Sequence, residues 1–160
     1  MTRCIVFIDG NNLFHSAKQL GLELDYGRLL AHLAEGRELV RAFFYTGVDE
    51  AADRQRGFLH WLRRNGFRVV QKPVKTEKGG TRRARLEVEI ATDLLAYADA
   101  VDVAILVSGD EDFAYPLQAL AQKGVRVLSL TDHDTTEGLP EAQAAAALGR
   151  QQVDQAERRV

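Results

Sequence analysis

Two carboxylates close the segment Val103-Ala104-Ile105-Leu106-Val107-Ser108-Gly109-Asp110-Glu111-Asp112-Phe113, where an unbroken apolar run meets a turn of small residues. A second run, Cys4-Ile5-Val6-Phe7-Ile8, ends in the same manner on Asp9-Gly10-Asn11-Asn12. Carboxylates brought within a few ångströms of one another repel, so each raises its neighbour's pKa or calls for a cation. Hard oxygen ligands of this kind suit Mg²⁺ or Mn²⁺. Each motif also has a plainer reading, Asp9-Gly10 as a turn and Ser108-Gly109-Asp110 as a helix start capped by Asp110 or Asp112. Two such ends in one short chain favour a shared acidic, metal-binding site.

The elements that must position these groups follow from the apolar pattern. A strand of Val, Ile and Leu without alternation is covered on both faces, as in the parallel sheets of α/β proteins, where ligands collect at the carboxyl ends of strands. Asp9, Asp110 and Asp112 are expected at such ends. A third acidic element runs from Arg85 to Ala98 and reads as an amphipathic helix, with Leu86, Ile90, Leu94 and Tyr97 at helical spacing. At about 100° per residue, Glu89 and Asp93 stand one turn apart, while Glu87 lies well around the helix from Asp93 unless it occupies a frayed first turn. Glu89 reads as part of a solvated acidic first turn, which the helix dipole favours. Asp93, set between Ala91 and the Leu94-Leu95 pair, reads as a site residue.

Three segments in this order, Ile5 to Asn12, Glu87 to Leu95 and Leu106 to Phe113, resemble the NYN domain family, with its LabA-like branch as the nearest pattern. The Ser-Gly-Asp-x-Asp-Phe stretch is the most specific of them. The resemblance implies a PIN-like α/β domain of three layers, a central parallel sheet flanked by helices, with an acidic pocket that binds divalent metal and cleaves RNA. It carries the metal and catalytic role onto Asp9, Asp93, Asp110 and Asp112, with Asn12 as a polar neighbour of the first carboxylate and Ser108 as a supporting residue. The chain departs from the family pattern at Glu87. An Asp following a Lys-Gly-Val-like run is usual there, and this chain has Ala84-Arg85-Leu86 before a longer acid that is kept as a supporting residue.

The remaining elements alternate as an α/β unit requires. Helices are expected from about Leu13 to Leu20, from Tyr26 to Ala34 and from Glu50 to Arg64, the last closing at Asn65-Gly66. Strands are expected at Leu39 to Tyr45, Phe67 to Gln71 and Val125 to Leu130, with a helix ending at Lys123-Gly124 before the last. Trp61, beside Phe58, Leu59 and Leu62 on the third helix, is assigned to the core. A length of 160 residues suits one domain. That domain is placed at residues 1–131, followed by a polar, Ala-rich helical extension over 132–160 that is free to dock on the sheet or to pair with a second copy of the chain. His133 in that stretch, like His15, His32 and His60, lacks metal-ligand spacing.

Cys4 is the only cysteine, so neither a disulfide framework nor a thiolate zinc site is available. No secretory signal or membrane-length apolar segment is present, and the expected compartment is the cytoplasm, with no membrane partner. The net charge of −2 argues against a nonspecific polybasic binder. The charge is unevenly spread, however. Lys72, Lys75, Lys78, Arg82, Arg83 and Arg85 face a single Glu77 in one stretch, with Gly79-Gly80 giving it mobility. Basic arms beside an acidic metal pocket match a phosphodiester backbone, and the expected partner is RNA, single-stranded in preference. Two other classes stay open. One is a phosphotransfer enzyme with Asp9 as nucleophile, although Asn11 stands where the second acid of an Asp-x-Asp pair belongs. The other is a noncatalytic module that binds RNA or protein through the same pocket.

Overall fold

A computed structural model describes residues 1–19 and 24–130. Strand β1 (Arg3–Asp9) runs directly into helix α1 (Gly10–Gln19), followed by α2 (Tyr26–Leu33), β2 (Glu38–Val48), α3 (Asp53–Arg64) and β3 (Phe67–Pro73). A small hairpin, β4 (Lys75–Thr76) and β5 (Arg82–Arg83), precedes α4 (Glu87–Ala96). The described chain closes with β6 (Val103–Val107), a 3-10 turn at Glu111–Phe113, α5 (Ala114–Gln122) and β7 (Arg126–Leu130).

Five strands form one sheet in the order β3-β2-β1-β6-β7. Every pairing in it is parallel. The absence of alternation in β1 is explained by its burial on both sides. Cys4, Val6 and Ile8 pack with Leu29, Leu30 and Leu33 of α2 and Leu59 and Leu62 of α3. Ile5 and Phe7 pack on the other face with Leu86, just before α4, with Ile90 and Leu94 of α4 and with Leu120 of α5. Helices α2 and α3 therefore cover one face, and α4 and α5 the other. The chain leaves β1 toward β2 over the first face and β6 toward β7 over the second. The carboxyl ends of β1 and β6, paired from Cys4↔Val103 to Ile8↔Val107, thus flank a crevice where the winding reverses.

Four expectations are corrected. Trp61 is 42% exposed rather than core. At about 100° per residue it lies to one side of the Phe58, Leu59 and Leu62 stripe, so only part of the indole can reach the protein. Helix α3 begins at Asp53, because the Asp49 carboxylate first turns the chain by accepting the Ala51 N–H at 3.1 Å. Helix α1 begins at Gly10 with no intervening loop, and β2 runs on to Val48. The Asn65-Gly66 stop holds, with Gly66 at φ +88° where only glycine is unstrained. Leu20 at the end of the first expected helix, His133 and the 132–160 extension, with its possible pairing to a second copy, lie outside the described residues.

Candidate functional site

The direct join of β1 to α1 fixes the first carboxylate. Asp9 is the last residue of β1 and is 9% exposed. Its Oδ1 accepts the Asn12 N–H at 3.3 Å, a helix-capping contact. Its Oδ2 accepts the Ser108 hydroxyl at 2.8 Å. The capping and site readings of the Asp9 motif are therefore compatible. Gly10 permits the join, because a Cβ there would stand 2.5 Å from Phe44 Cε1 and 2.6 Å from the Tyr45 carbonyl oxygen.

The end of β6 is locked to the end of β1 through the same few residues. Asn12 Oδ1 accepts the Gly109 N–H at 2.8 Å, and Ser108 Oγ accepts the Asp110 N–H at 3.2 Å. Asp110 Oδ1 in turn accepts the Asp112 N–H at 2.9 Å, which caps the 3-10 turn. Asp9, Asp110 and Glu87, the first residue of α4, line one cavity of about 430 Å³. Asn11, Asn12 and His15 contribute to its α1 side, and Arg82, Arg83 and Ala84 to its hairpin side.

Burial pushes the Asp9 carboxyl above its ordinary range. The hydrogen bonds from Ser108 and Asn12 oppose that rise, while the negative charges of Glu87 and Asp110 add to it. A carboxyl whose pKa is raised by folding favours the fold in its neutral form. Its stabilising contribution is complete below the ordinary Asp range and is lost as pH rises through the raised value. Asp9→Asn is therefore expected to raise Tm at pH 7, each kcal/mol gained giving about 2–4 °C in a chain of this size. The gain should shrink toward pH 4. Calorimetry at the two pH values checks this, and a lower Tm for the variant at pH 7 would contradict it.

The other acids divide in a way that residue spacing did not foretell. Glu87 stands in the first turn of α4 and reaches the cavity with Asp9 and Asp110, whereas Asp93 does not line it. Asp93 Oδ2 accepts the Tyr45 hydroxyl at 2.8 Å, joining α4 to β2 and helping hold that phenol protonated well above its usual range, where burial is the largest cause. Asp112 is likewise not among the cavity-lining residues, and it meets Asp110 through its backbone N–H. Glu89 forms an ion pair with Lys72 at 2.7 Å, and that hydrogen bond lowers its carboxyl pKa.

The basic stretch, expected as a loop, has secondary structure of its own. It folds as an antiparallel hairpin, with Lys75↔Arg83 and Thr76↔Arg82 paired. Gly79 and Gly80, at φ +97° and +83°, close the tight turn that links its strands. Its cations are tethered by Arg82–Asp49 at 3.3 Å, Arg83–Glu87 at 3.6 Å and Arg85–Glu77 at 2.7 Å. Lys75 and Lys78 are exposed and enter no ion pair among the described residues. Local acids thus hold the arginines in place, and Arg82 and Arg83 form one wall of the acidic cavity.

Two cavity residues had no clear signal in the sequence. In the sequence Asn11 stands out only as a missing acid, yet its amide clips three elements together. Its Nδ2 donates to the Ala84 carbonyl at 3.3 Å, and its Oδ1 accepts the Gly47 N–H at 3.1 Å. His15 reaches the cavity one helical turn after Asn11. The helical spacing of these two residues was available in the sequence, but the hairpin opposite them was not.

The donor set fits a hard divalent cation in kind, since three carboxylates arrive from three separate elements. No three Asp, Glu, His or Cys groups among the described residues close into a ready cage.

The NYN domain profile matches residues 3–147 of the chain. The chain is 36% identical over 134 residues to the low amplitude and bright protein LabA of Synechococcus elongatus, covering 79% of this chain and 72% of that protein. The fold superposes with a TM-score of 0.72 on the crystal structure of a protein of unknown function from Vibrio parahaemolyticus, at 27% identity and 81% coverage of each chain.

Proposed function

The chain belongs to the NYN domain family, and from that premise and the acidic cavity we propose that it is a divalent-metal-dependent ribonuclease acting on single-stranded RNA in the cytoplasm. The observation that carries this reading is the meeting of Asp9, Glu87 and Asp110 in one cavity whose wall is built by Arg82 and Arg83. Acid at the floor and guanidinium at the side are what a phosphodiester needs from a protein that binds its backbone and a cation together.

Asp9, Glu87 and Asp110 would hold Mg²⁺ or Mn²⁺. An ion of this type supplies Lewis acidity, polarising a phosphate oxygen and making water a stronger nucleophile at neutral pH. The chain's own contribution is orientation. Ser108 and Asn12 keep the ends of β1 and β6 in register, the Asp112 N–H fixes Asp110, and Tyr45 with Asp93 holds α4 so that Glu87 faces the cavity. Arg82, Arg83, Lys75 and Lys78 bind phosphates, while Arg85 braces the hairpin turn through Glu77 and Lys72 ties β3 to α4 through Glu89. Arg83 also serves as the counter-charge of Glu87, so a cation entering the cavity competes with its guanidinium for the same carboxylate.

A phosphotransfer route through Asp9 is less well supported, because the Asn11 amide is committed to Ala84 and Gly47 and has no proton to give as an acid. The noncatalytic binding reading draws on the open ligand set. Labelled single-stranded RNA incubated with the protein and Mn²⁺ separates the two. Chelator-sensitive cleavage that is lost in Asp110→Asn purified in parallel supports the nuclease, while tight binding without cleavage under every divalent ion overturns it in favour of the binding module.

A further inference from the structure

Helix α1 turns an arc away from the core, on which Asn11 is committed to Ala84 and Gly47 while Phe14 stands exposed. Ser16 and Ala17 are buried and Leu13 packs against the core, whereas Phe14 is 60% exposed. At about 100° per residue, Phe14, Lys18, Asn11 and His15 follow one another around the opposite side of the helix. This arc carries aromatic and basic groups, and α1 contains no acid. The Phe14 and His15 rings meet edge to face, with centroids 6.3 Å apart and planes at 67°. His15 lines the acidic cavity, across from the hairpin that supplies Arg82 and Arg83. The exposed ring is therefore continuous with the cavity through its own neighbour.

Resting on the ribonuclease reading, we propose that Phe14 and His15 form a nucleobase subsite at the rim of the cavity. It receives an unpaired base of the strand whose phosphates lie against Arg82 and Arg83. An aromatic face accepts any base by stacking, and a base inside a duplex cannot offer that face. Lys18 on the same arc adds a contact for the neighbouring phosphate. The subsite makes the substrate a strand with at least one unstacked base, and it selects against duplex without reading sequence. The other exposed aromatic on a helix start, Tyr115 of α5, follows the turn whose Phe113 packs in the opposite core cluster and has no part in this subsite.

The test measures binding by fluorescence anisotropy with chelator present, so that no strand is cut. The probes are a short labelled oligouridylate, an abasic ribose-phosphate oligomer of equal length and an RNA duplex. Phe14→Ala should weaken oligouridylate binding by about 5- to 150-fold, the range of one lost base stack. It should leave the abasic oligomer, the duplex and the salt dependence unchanged. Phe14→Trp should bind as the wild type does, and Tyr115→Ala should have no effect.

Unchanged oligouridylate binding in Phe14→Ala overturns the subsite. So does an equal loss on the abasic oligomer, a Tm lowered by several degrees, or an altered oligomeric state, since the last two mean that protein covers the ring. If Arg82→Ala and Arg83→Ala weaken both oligomers while Phe14→Ala weakens neither, the subsite falls and the RNA reading stands. If the wild-type protein binds no probe, the RNA reading falls and the subsite with it.

Discussion

Asp110→Asn is expected to reduce Mn²⁺-dependent RNA cleavage by at least about 100-fold, beyond the 10- to 100-fold typical of residues that only support a metal ligand. The substitution keeps the fold, because an amide oxygen can still accept the Asp112 N–H that the carboxylate accepts at 2.9 Å. It removes a negative charge from a cavity where the carboxylates already oppose one another's ionisation. A loss of turnover with an unchanged Tm would therefore report chemistry rather than unfolding. Asp93→Asn is the informative partner. Its oxygen can still accept the Tyr45 hydroxyl, and Asp93 does not line the cavity, so the expected change is only a few-fold. Initial rates on one RNA substrate compare the two. An Asp93→Asn defect as large as that of Asp110→Asn would mean that the family's role for this position operates here through a rearranged α4.

The largest stability effect is expected at Gly10. A methyl group there would press on Phe44 Cε1 at 2.5 Å, which a tilt of the ring would relieve, and on the Tyr45 carbonyl oxygen at 2.6 Å, which cannot yield without moving β2. Overpacking of this kind costs about 1–3 kcal/mol. In a chain of this size that lowers Tm by several degrees, at about 2–4 °C per kcal/mol. Gly57→Ala supplies the opposite sign. Gly57 lies inside α3 with nothing within 4 Å of the added Cβ, so alanine should stabilise the helix by about 0.5–1 kcal/mol. Thermal denaturation of both variants checks the pair, and a Gly10→Ala protein as stable as the wild type would mean that α1 does not leave β1 as closely as described.

The runs at Ile5 to Ile8 and Val103 to Val107 announced a sheet covered on both faces, because strands buried twice cannot alternate. The helix carrying Leu86, Ile90 and Leu94 was equally plain from its period. The partition of its acids was not. Arithmetic around the helix separates Glu87 from Asp93, and the apolar neighbours of Asp93 favour it as the site residue, whereas Glu87 is the one that lines the cavity. That choice depends on Tyr45, distant in sequence, whose hydroxyl engages Asp93. The hairpin was hidden for a different reason. Strands of two residues carry no periodicity, and the pairing of Arg82 with Asp49 and Arg83 with Glu87 exists only once β2 and α4 are in place. Asn11 illustrates the same limit, since its amide satisfies backbone groups on β2 and beside the hairpin that are remote in the chain.

The central claim is that Asp9, Glu87 and Asp110 form one divalent-cation site, and Mn²⁺ titration followed by the paramagnetic resonance of the free ion tests it without any substrate. The account predicts a saturable site in the wild-type protein that is lost or greatly weakened in each of Asp9→Asn, Glu87→Gln and Asp110→Asn, retained in Asp93→Asn, and tightened in Arg83→Ala, where the competing guanidinium is gone. Mn²⁺ binding that survives all three cavity substitutions, or that disappears only with Asp93, would contradict it.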